Sequence, residues 1–433
     1  MKKLLTVLVL AAMVVSASFS AFADELFLDL LVEKGDNYYY CEDGKPVTNR
    51  WIQDGDNRYY FGPSGRMYKD VISKIGDKYY AFDENGVMLR GFLDSDRAPV
   101  EGTDIEELFE CTYLFDETDG SMYTGWYQAD IANVPENYLE KEEIWFYFNP
   151  ANGKKLAGAN KKIDGNQYSF DSNGVMRSGW HTDPNTNEMS YYGADNSGVK
   201  FMNGWVKAPM PNDDVPEEDD EEEIVNTNSG DKYWFYFKNG KPKKSTVARI
   251  DGKYYLFAAA GNLRTGLFTA DCKSVSGIKT ELLSAVPSGT TYTNMITPDY
   301  FDGKSIFKFT TDGMIDDAES KSTFSDRSYA LKYKKGGAAL NGLKGSRLYI
   351  NGILVKTDED SEEKYSAVHG YEGKNYFVNS TGTIMKKGKY AKGGDYYYAV
   401  SQAGALGAFF EKDEAESFAK SQETEDVNVT YIN

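Results

Sequence analysis

Short runs of aromatic residues alternate with polar turns along most of this chain. The segment IGDKYYAFDENGVMLRG at 75–91 is nearly repeated at 250–266 as IDGKYYLFAAAGNLRTG. In each copy an aromatic run is followed by a turn rich in Asn, Asp, Ser and Gly, and then by a second short run. Asn-Gly turns such as Asn85-Gly86 and Asn173-Gly174 supply the positive backbone dihedrals that tight hairpin turns require. The pattern therefore predicts one β-hairpin per copy.

In five well-aligned copies, the residues at two positions ahead of the turn glycine, the fourth and the sixth, are aromatic. The fourth residue before the glycine is Tyr40, Phe61, Phe82, Phe170 or Phe257, and the sixth is Tyr38, Tyr59, Tyr80, Tyr168 or Tyr255. Residues two apart on a strand share a face, so this face is predicted to be the packing face. The alternate positions vary freely, and we expect any function to lie on that variable face and at the joints between hairpins.

A single hairpin cannot bury its own face and is marginally stable in water. Successive copies begin about twenty residues apart, at Gly35, Gly55 and Gly76. Stacking would bury the faces, so the predicted fold is all-β, a repetitive β-hairpin solenoid of about a dozen ~20-residue units.

Interruptions of the repeat divide the chain into six predicted segments. The predicted segments are a signal peptide (1–23), N-terminal repeats (24–92), central repeats (93–266) with acidic insertions at about 128–143 and 211–230, a divergent repeat-like segment (267–343), degenerate C-terminal repeats (344–406) and a C-terminal cap or tail (407–433). The last segment contains EKDEAESFAKSQ (411–422), which has the composition of a helix.

The units resemble the cell wall-binding repeats shared by choline-binding modules, glucan-binding domains and clostridial toxin repeat regions. The Gly-Trp step of that pattern is present at Gly125-Trp126, Gly179-Trp180 and Gly204-Trp205, and Trp51 keeps the Trp alone. The Met that follows the turn is present as Met67, Met88, Met122 and Met176. The resemblance implies a fold of stacked hairpins and an aromatic box at each joint, suited to a quaternary ammonium group or a sugar ring.

The resemblance carries over only in part. At Trp51 the second Trp of the box is replaced by Arg58, whereas Trp145 and Trp234 keep that position after Trp126 and Trp205. An alternative is that each Trp merely seals a joint between hairpins. The candidate ligand-binding residues implied by the resemblance are Trp51, Tyr59, Tyr60, Trp126, Trp145, Trp180, Trp205 and Trp234.

Composition narrows the function classes. With 48 Lys and Arg against 67 Asp and Glu, the net charge is −19, which argues against nucleic acid as a partner. The only histidines are His181 and His369, and no GxSxG, HExxH or P-loop pattern occurs, so we predict no catalytic site, no metal site and no cofactor. The three cysteines, Cys41, Cys111 and Cys272, favour thiols, with one disulfide possible.

The N-terminus predicts export. Lys2 and Lys3 precede the short apolar run Leu4–Val15, and the segment ends in Ala21-Phe22-Ala23, which is typical of a cleaved signal peptide. No segment of the mature chain is apolar enough to span a membrane.

The leading hypothesis is a secreted, non-catalytic protein, extracellular or associated with the cell surface. It would bind a cell-wall polymer (teichoic acid or peptidoglycan) or a glycan non-covalently. The alternative is an adhesin-like or structural surface protein with a protein partner, and a glycan-processing enzyme ranks last.

Overall fold

A computed structural model of the chain describes residues 30–102, 104–129, 138, 143–193, 197–211, 232–276, 278–324, 327–358 and 361–429. The predicted signal peptide at 1–23 lies outside the described residues. So does nearly all of both acidic insertions, of which only Gln128, Ala129, Tyr138, Glu143 and Pro211 are described.

The fold is all-β, with many hairpins. In chain order the strands are β1 (Leu30–Lys34), β2 (Asn37–Glu42), β3 (Lys45–Pro46), β4 (Arg50–Asp54), β5 (Asn57–Phe61), β6 (Val71–Ile75), β7 (Lys78–Phe82), β8 (Gly91–Leu93), β9 (Tyr113–Phe115), β10 (Gly125–Ala129), β11 (Ile144–Phe148), β12 (Asn160–Ile163), β13 (Asn166–Ser169), β14 (Gly179–Thr182), β15 (Met189–Tyr192), β16 (Gly204–Ala208), β17 (Tyr233–Lys238) and β18 (Lys241–Pro242). They continue with β19 (Thr246–Ile250), β20 (Lys253–Phe257), β21 (Leu263–Arg264), β22 (Gly266–Ala270), β23 (Ser284–Ala285), β24 (Ser305–Thr310), β25 (Gly313–Met314), β26 (Glu319–Phe324), β27 (Arg327–Lys332), β28 (Gly342–Lys344), β29 (Arg347–Ile350), β30 (Ile353–Leu354), β31 (Tyr365–Tyr371), β32 (Lys374–Asn379), β33 (Lys389–Gly393), β34 (Tyr396–Val400) and β35 (Leu406–Phe409).

The helical elements are few among the described residues. They are α1 (Asp104–Glu110), a 3-10 turn at Thr280–Leu282, α2 (Tyr292–Ile296) and α3 (Lys412–Lys420). Helix α3 lies where the composition of 411–422 predicts one, and it buries Ala415, Phe418 and Ala419. The sequence reading did not predict α1 or α2.

The hairpins form small antiparallel sheets, most of them of two or three strands. The divergent segment 267–343 also contains sheets. There β22 pairs with β24 across an insertion that holds β23 and α2. Strands β26 and β27 join β28 to β30, which lie mostly beyond residue 343, in a five-stranded sheet of order β26-β27-β30-β29-β28. By its contacts the chain divides into two compact units, residues 1–181 with 191–200, and residues 182–190 with 201–433.

The predicted packing face is confirmed at its phenylalanines. Phe61, Phe82, Phe170 and Phe257 are at most 1% exposed. The tyrosines two residues earlier are less buried: Tyr59, Tyr80 and Tyr168 are half-buried, and Tyr255 is 9% exposed. Each of these tyrosines therefore lies near the edge of the buried face.

Within the first unit, successive repeats interlock through a methionine and a glycine. The backbone N–H of Met88 donates to the carbonyl of Arg58 in the preceding hairpin, and the N–H of Met176 does the same to Trp145, both at 2.8 Å. The Met88 side chain then covers the turn glycine of the next repeat, because a Cβ atom added at Gly120 would lie 2.4 Å from Met88 Cε. The same arrangement recurs at Gly86 with Met67, Gly153 with Met122 and Gly198 with Met176.

We expect Gly120→Ala to destabilise its repeat more than Gly76→Ala. Both glycines have positive φ (+74° and +67°), so both substitutions carry a left-handed penalty of about 1–2 kcal/mol. Only Gly120 faces a buried side chain, since nothing lies within 4 Å of an added Cβ at Gly76. Amide hydrogen exchange is compared with wild-type exchange in each variant. The acceleration over 113–122 in Gly120→Ala should be at least about fivefold larger than the acceleration over 71–82 in the Gly76→Ala control. Equal acceleration would contradict the interlock.

Candidate functional site

The first unit contains an aromatic cluster, here called the Trp126 joint, formed by Trp126, Trp145, Tyr147, Tyr168 and Phe170. The ring centre of Trp126 lies 4.9 Å from that of Tyr147 and 4.8 Å from that of Tyr168. The Trp126 and Trp145 rings are nearly perpendicular, at 87°, with centres 6.4 Å apart. Phe170 lies behind them, 6.0 Å from Trp126.

The second unit contains the same arrangement, here called the Trp205 joint, formed by Trp205, Trp234, Tyr236, Tyr255 and Phe257. The ring centre of Trp205 lies 5.1 Å from Tyr236 and 4.8 Å from Tyr255. Trp234 stands at 89° to Trp205 with centres 6.3 Å apart. Agreement between the two joints, ring by ring, shows that the repeat builds the same geometry twice.

Strand register explains why these rings meet. In the Trp126 joint, Trp126 pairs with Tyr147 and Gln128 pairs with Trp145, so Trp126, Tyr147 and Trp145 share one face of the β10–β11 hairpin. In the Trp205 joint, Trp205 pairs with Tyr236 and Lys207 pairs with Trp234.

The third wall of each joint comes from the following hairpin. Tyr168 on β13 and Tyr255 on β20 occupy the sixth position before the turn glycine, which the sequence assigned to the packing face. The sequence did not identify them as site residues, because strand alternation shows on which face of its own hairpin a residue lies. It does not show which residue of the preceding hairpin that side chain contacts. Their recurrence as tyrosine at the edge of the buried face was the available indication.

The Trp51 joint differs by one residue. Trp51 contacts Tyr60 at 5.1 Å, and Tyr80 of the next hairpin at 4.9 Å, in the same way as the other two joints. Arg58 stands where Trp145 and Trp234 stand, and its guanidinium carbon lies 4.7 Å from the centre of the Trp51 ring. A cation of the protein itself therefore contacts the aromatic face at this joint.

The remaining predicted site residues do not all lie in one joint. Tyr60 is 8% exposed and packs on Trp51, so it forms part of that joint. Tyr59 pairs with Ile52 and faces the opposite side of the hairpin, since neighbouring residues on a strand alternate sides. The structure thus places Tyr59 away from Trp51 and puts Tyr80 in the place expected for it. Trp180 packs on Tyr191 with ring centres 5.0 Å apart.

Carboxylates lie close to two of the joints. The indole N–H of Trp145 donates to Glu143 at 2.9 Å. Burial raises the pKa of Tyr147, with Asp164 adding to the effect, and burial raises the pKa of Tyr255, with Asp312 and Asp251 adding to it. A phenol pKa raised in this way marks surroundings that disfavour negative charge.

The geometry suits a small cation. A cation about 4.5 Å above two perpendicular rings, inside the roughly 6 Å range of a cation–π contact, requires ring centres about 6.4 Å apart. The Trp126–Trp145 and Trp205–Trp234 pairs have separations of 6.4 Å and 6.3 Å. Trp145 and Trp234 are half-buried, so each keeps some surface for contact. A sugar ring could stack on the same surfaces. In the Trp205 joint the Lys207 ammonium also lies 5.1 Å from the Trp234 ring, so a cation of the protein itself contacts that wall.

Three further features of the described part of the chain concern metal ions, cysteines and membrane spans. No group of three or more His, Cys, Asp or Glu side chains there is placed to hold a metal ion. Cys41, Cys111 and Cys272 are all thiols. No helix among the described residues has the length and apolar character that crossing a membrane would need.

Comparison with known proteins identifies the repeat. Residues 49–67, which include Trp51, Arg58 and Tyr60, match the family model of the cell wall binding repeat. The chain therefore carries a repeat of that family, and the resemblance seen in the sequence is confirmed.

Two curated relatives are streptococcal glucosyltransferases. Glucosyltransferase-I of Streptococcus downei is 24% identical over 402 residues, covering 87% of this chain and 23% of the relative. Glucosyltransferase-S of Streptococcus mutans is 26% identical over 196 residues, covering 39% of this chain and 12% of the relative. The chain thus corresponds to less than a quarter of the length of either enzyme.

Among solved structures, choline binding protein F from Streptococcus pneumoniae is similar at 18% identity and a TM-score of 0.43. The match covers 75% of this chain and 98% of that one.

We expect Arg58→Met to destabilise the Trp51 joint by about 0.5–1 kcal/mol, because methionine keeps much of the arginine's length and loses the cation–π contact. Amide hydrogen exchange over 50–61 and 78–88 should accelerate about two- to fivefold in the variant, whereas Arg58→Lys should retain part of the protection. Equal protection in wild-type and Arg58→Met protein would show that the guanidinium contributes nothing at this joint.

Proposed function

We propose that this chain is a secreted, non-catalytic protein whose hairpins stack as a β-solenoid. It associates non-covalently with the bacterial cell wall or a surface glycan through the Trp126 and Trp205 joints. The observation that carries the proposal is the pair of perpendicular tryptophans repeated in the two joints at separations of 6.4 Å and 6.3 Å. The cell wall binding repeat matched at 49–67 supports the same class of function.

The favoured ligand is a wall polymer that carries quaternary ammonium groups, such as a substituted teichoic acid. Each joint offers aromatic faces at which a cation gains roughly 0.5–2 kcal/mol per ring, so one joint binds weakly. A polymer with many identical groups can occupy both joints at once and bind far more tightly than either joint alone. Peptidoglycan and other glycans, which would stack a sugar ring on the same tryptophans, are the second ligand class.

Trp145 and Trp234 are the residues to substitute. We expect Trp145→Ala and Trp234→Ala each to weaken sedimentation with purified cell walls about 3- to 10-fold, and the double variant by roughly the product, because each loses one aromatic wall of a joint. Tyr79→Ala is the matched control. Tyr79 occupies the same register position on β7, but its hairpin has Ile72 where the joint tryptophan would be.

Three outcomes separate the candidates. Loss of binding on removal of teichoic acid, or with free choline, supports the ammonium ligand. Binding that ignores both treatments but still needs Trp145 and Trp234 supports a glycan strand. Wild-type binding in a folded Trp145→Ala/Trp234→Ala variant would overturn the proposal and favour a protein partner recognised elsewhere on the surface.

A gain-of-function variant tests the same geometry at the third joint. Arg58→Trp should replace the protein's own cation with the missing aromatic wall beside Trp51 and Tyr80. In the Trp145→Ala/Trp234→Ala background, this substitution is expected to restore part of the lost sedimentation with purified cell walls. Arg58→Leu, which removes the cation without adding a ring, is the control and should restore much less.

A further inference from the structure

A cavity in the C-terminal part of the second unit lies apart from the tryptophan joints. It has a volume of about 370 Å³ and is bounded by β34, the end of β35, the start of α3 and the chain just before β31. Its walls include Tyr396, Tyr398, Phe409 and Phe410. It holds no tryptophan, and its residues belong to segments that the repeat match at 49–67 does not reach.

Aromatic rings form one side of this cavity. Phe410 packs on Tyr396 with ring centres 4.7 Å apart and an angle of 37°, yet it remains 68% exposed. Tyr396 and Tyr398 follow one another on the same face of β34, with ring centres 6.3 Å apart. A large apolar side chain this exposed at the rim of a cavity leaves an aromatic surface available to a ligand.

The charged residues that line the cavity are both carboxylates. Glu363 precedes β31, and Glu414 lies in the first turn of α3 together with Asp413. These acidic residues offset the positive end of the helix, which would otherwise repel a cation. Burial raises the pKa of Tyr398 to about 12, and the nearby Glu363 carboxylate and Tyr396 add to the effect by disfavouring a further negative charge at this wall.

We propose that this cavity is a binding site for a small organic cation, held by the aromatic rings of Tyr396 and Phe410 and by the carboxylates of Glu363 and Glu414. Aromatic faces attract a cation without requiring directional hydrogen bonds, and the carboxylates supply the opposing charge. An anion would meet only like charge. A neutral sugar could donate hydroxyl hydrogen bonds to the carboxylates, but only a cation also gains the Coulombic attraction of two negative charges, which is why the cation is the favoured occupant.

The shared chemistry, an alkylammonium group, has two sources. A quaternary ammonium, as on a substituted polymer, fits the aromatic walls best, whereas a primary ammonium, as on a lysine side chain, gains more from the carboxylates. Comparison of tetramethylammonium with methylammonium distinguishes the two.

The test is a calorimetric titration of the full chain with tetramethylammonium, methylammonium and the uncharged analogue 3,3-dimethylbutan-1-ol. Because the joints also offer aromatic faces, the titration is repeated on the Trp145→Ala/Trp234→Ala variant. We expect at least one of the two cations to bind this variant, and the uncharged analogue to bind about tenfold more weakly or not at all. Loss of all cation binding in a folded Trp145→Ala/Trp234→Ala variant would overturn the proposal.

The decisive substitutions are Glu363→Gln with Glu414→Gln. In the same background this pair should weaken binding of the preferred cation about tenfold, and Phe410→Ala about 3- to 10-fold. The control is Glu362→Gln with Glu425→Gln, which changes the net charge equally at exposed residues outside the cavity. Equal weakening by both pairs would show that binding depends only on the net charge of the protein, which would overturn the proposal. Equal binding of the uncharged analogue, or binding of an isomalto-oligosaccharide insensitive to the glutamate pair, would also overturn the proposal.

Discussion

The structure depends on one constraint: a two-stranded hairpin cannot bury its own aromatic face. Two hairpins of the first unit meet the constraint by packing tyrosine and phenylalanine on the tryptophan of the hairpin before them: Tyr80 and Phe82 pack on Trp51, and Tyr168 and Phe170 pack on Trp126. The joints are therefore first of all the core of the fold. A ligand site at a joint would be a partly exposed edge of that core, so packing and the proposed binding would use the same tryptophans.

The packing role explains where the joints diverge. In four of the five aligned copies the core has phenylalanine at the fourth position before the turn glycine, and Phe61, Phe82, Phe170 and Phe257 are all at most 1% exposed, whereas Tyr40 in the fifth copy is half-buried. The edge is less constrained, so the same register position carries Trp145, Trp234, Tyr79 or Arg58. With Arg58, the guanidinium contacts the Trp51 face and contributes to stability there, at the expense of the surface left for an external cation.

Much of the hairpin architecture could be predicted from sequence, because strand alternation and turn chemistry are local. The buried phenylalanines and the helix within 411–422 were within reach for the same reason. The offset between successive hairpins is a tertiary property. Consequently the roles of Tyr168 and Tyr255, the opposite side taken by Tyr59, and the place of the Arg58 guanidinium emerged only in three dimensions. Helix α1 is too short for a clear period, and the C-terminal cavity joins segments distant in sequence.

We propose that the Trp126 and Trp205 joints bind a wall ligand and that the Trp51 joint, where Arg58 replaces the second tryptophan, does not. The most direct measurement is of the six tryptophan indole N–H resonances, assigned by substitution, during titration with soluble teichoic acid fragments or glycan strands. The account predicts that the resonances of Trp126, Trp145, Trp205 and Trp234 shift together at low ligand concentration while that of Trp51 stays in place. A protein that sediments with walls but shows no shift in those four resonances, or an equal shift of Trp51, would contradict the account.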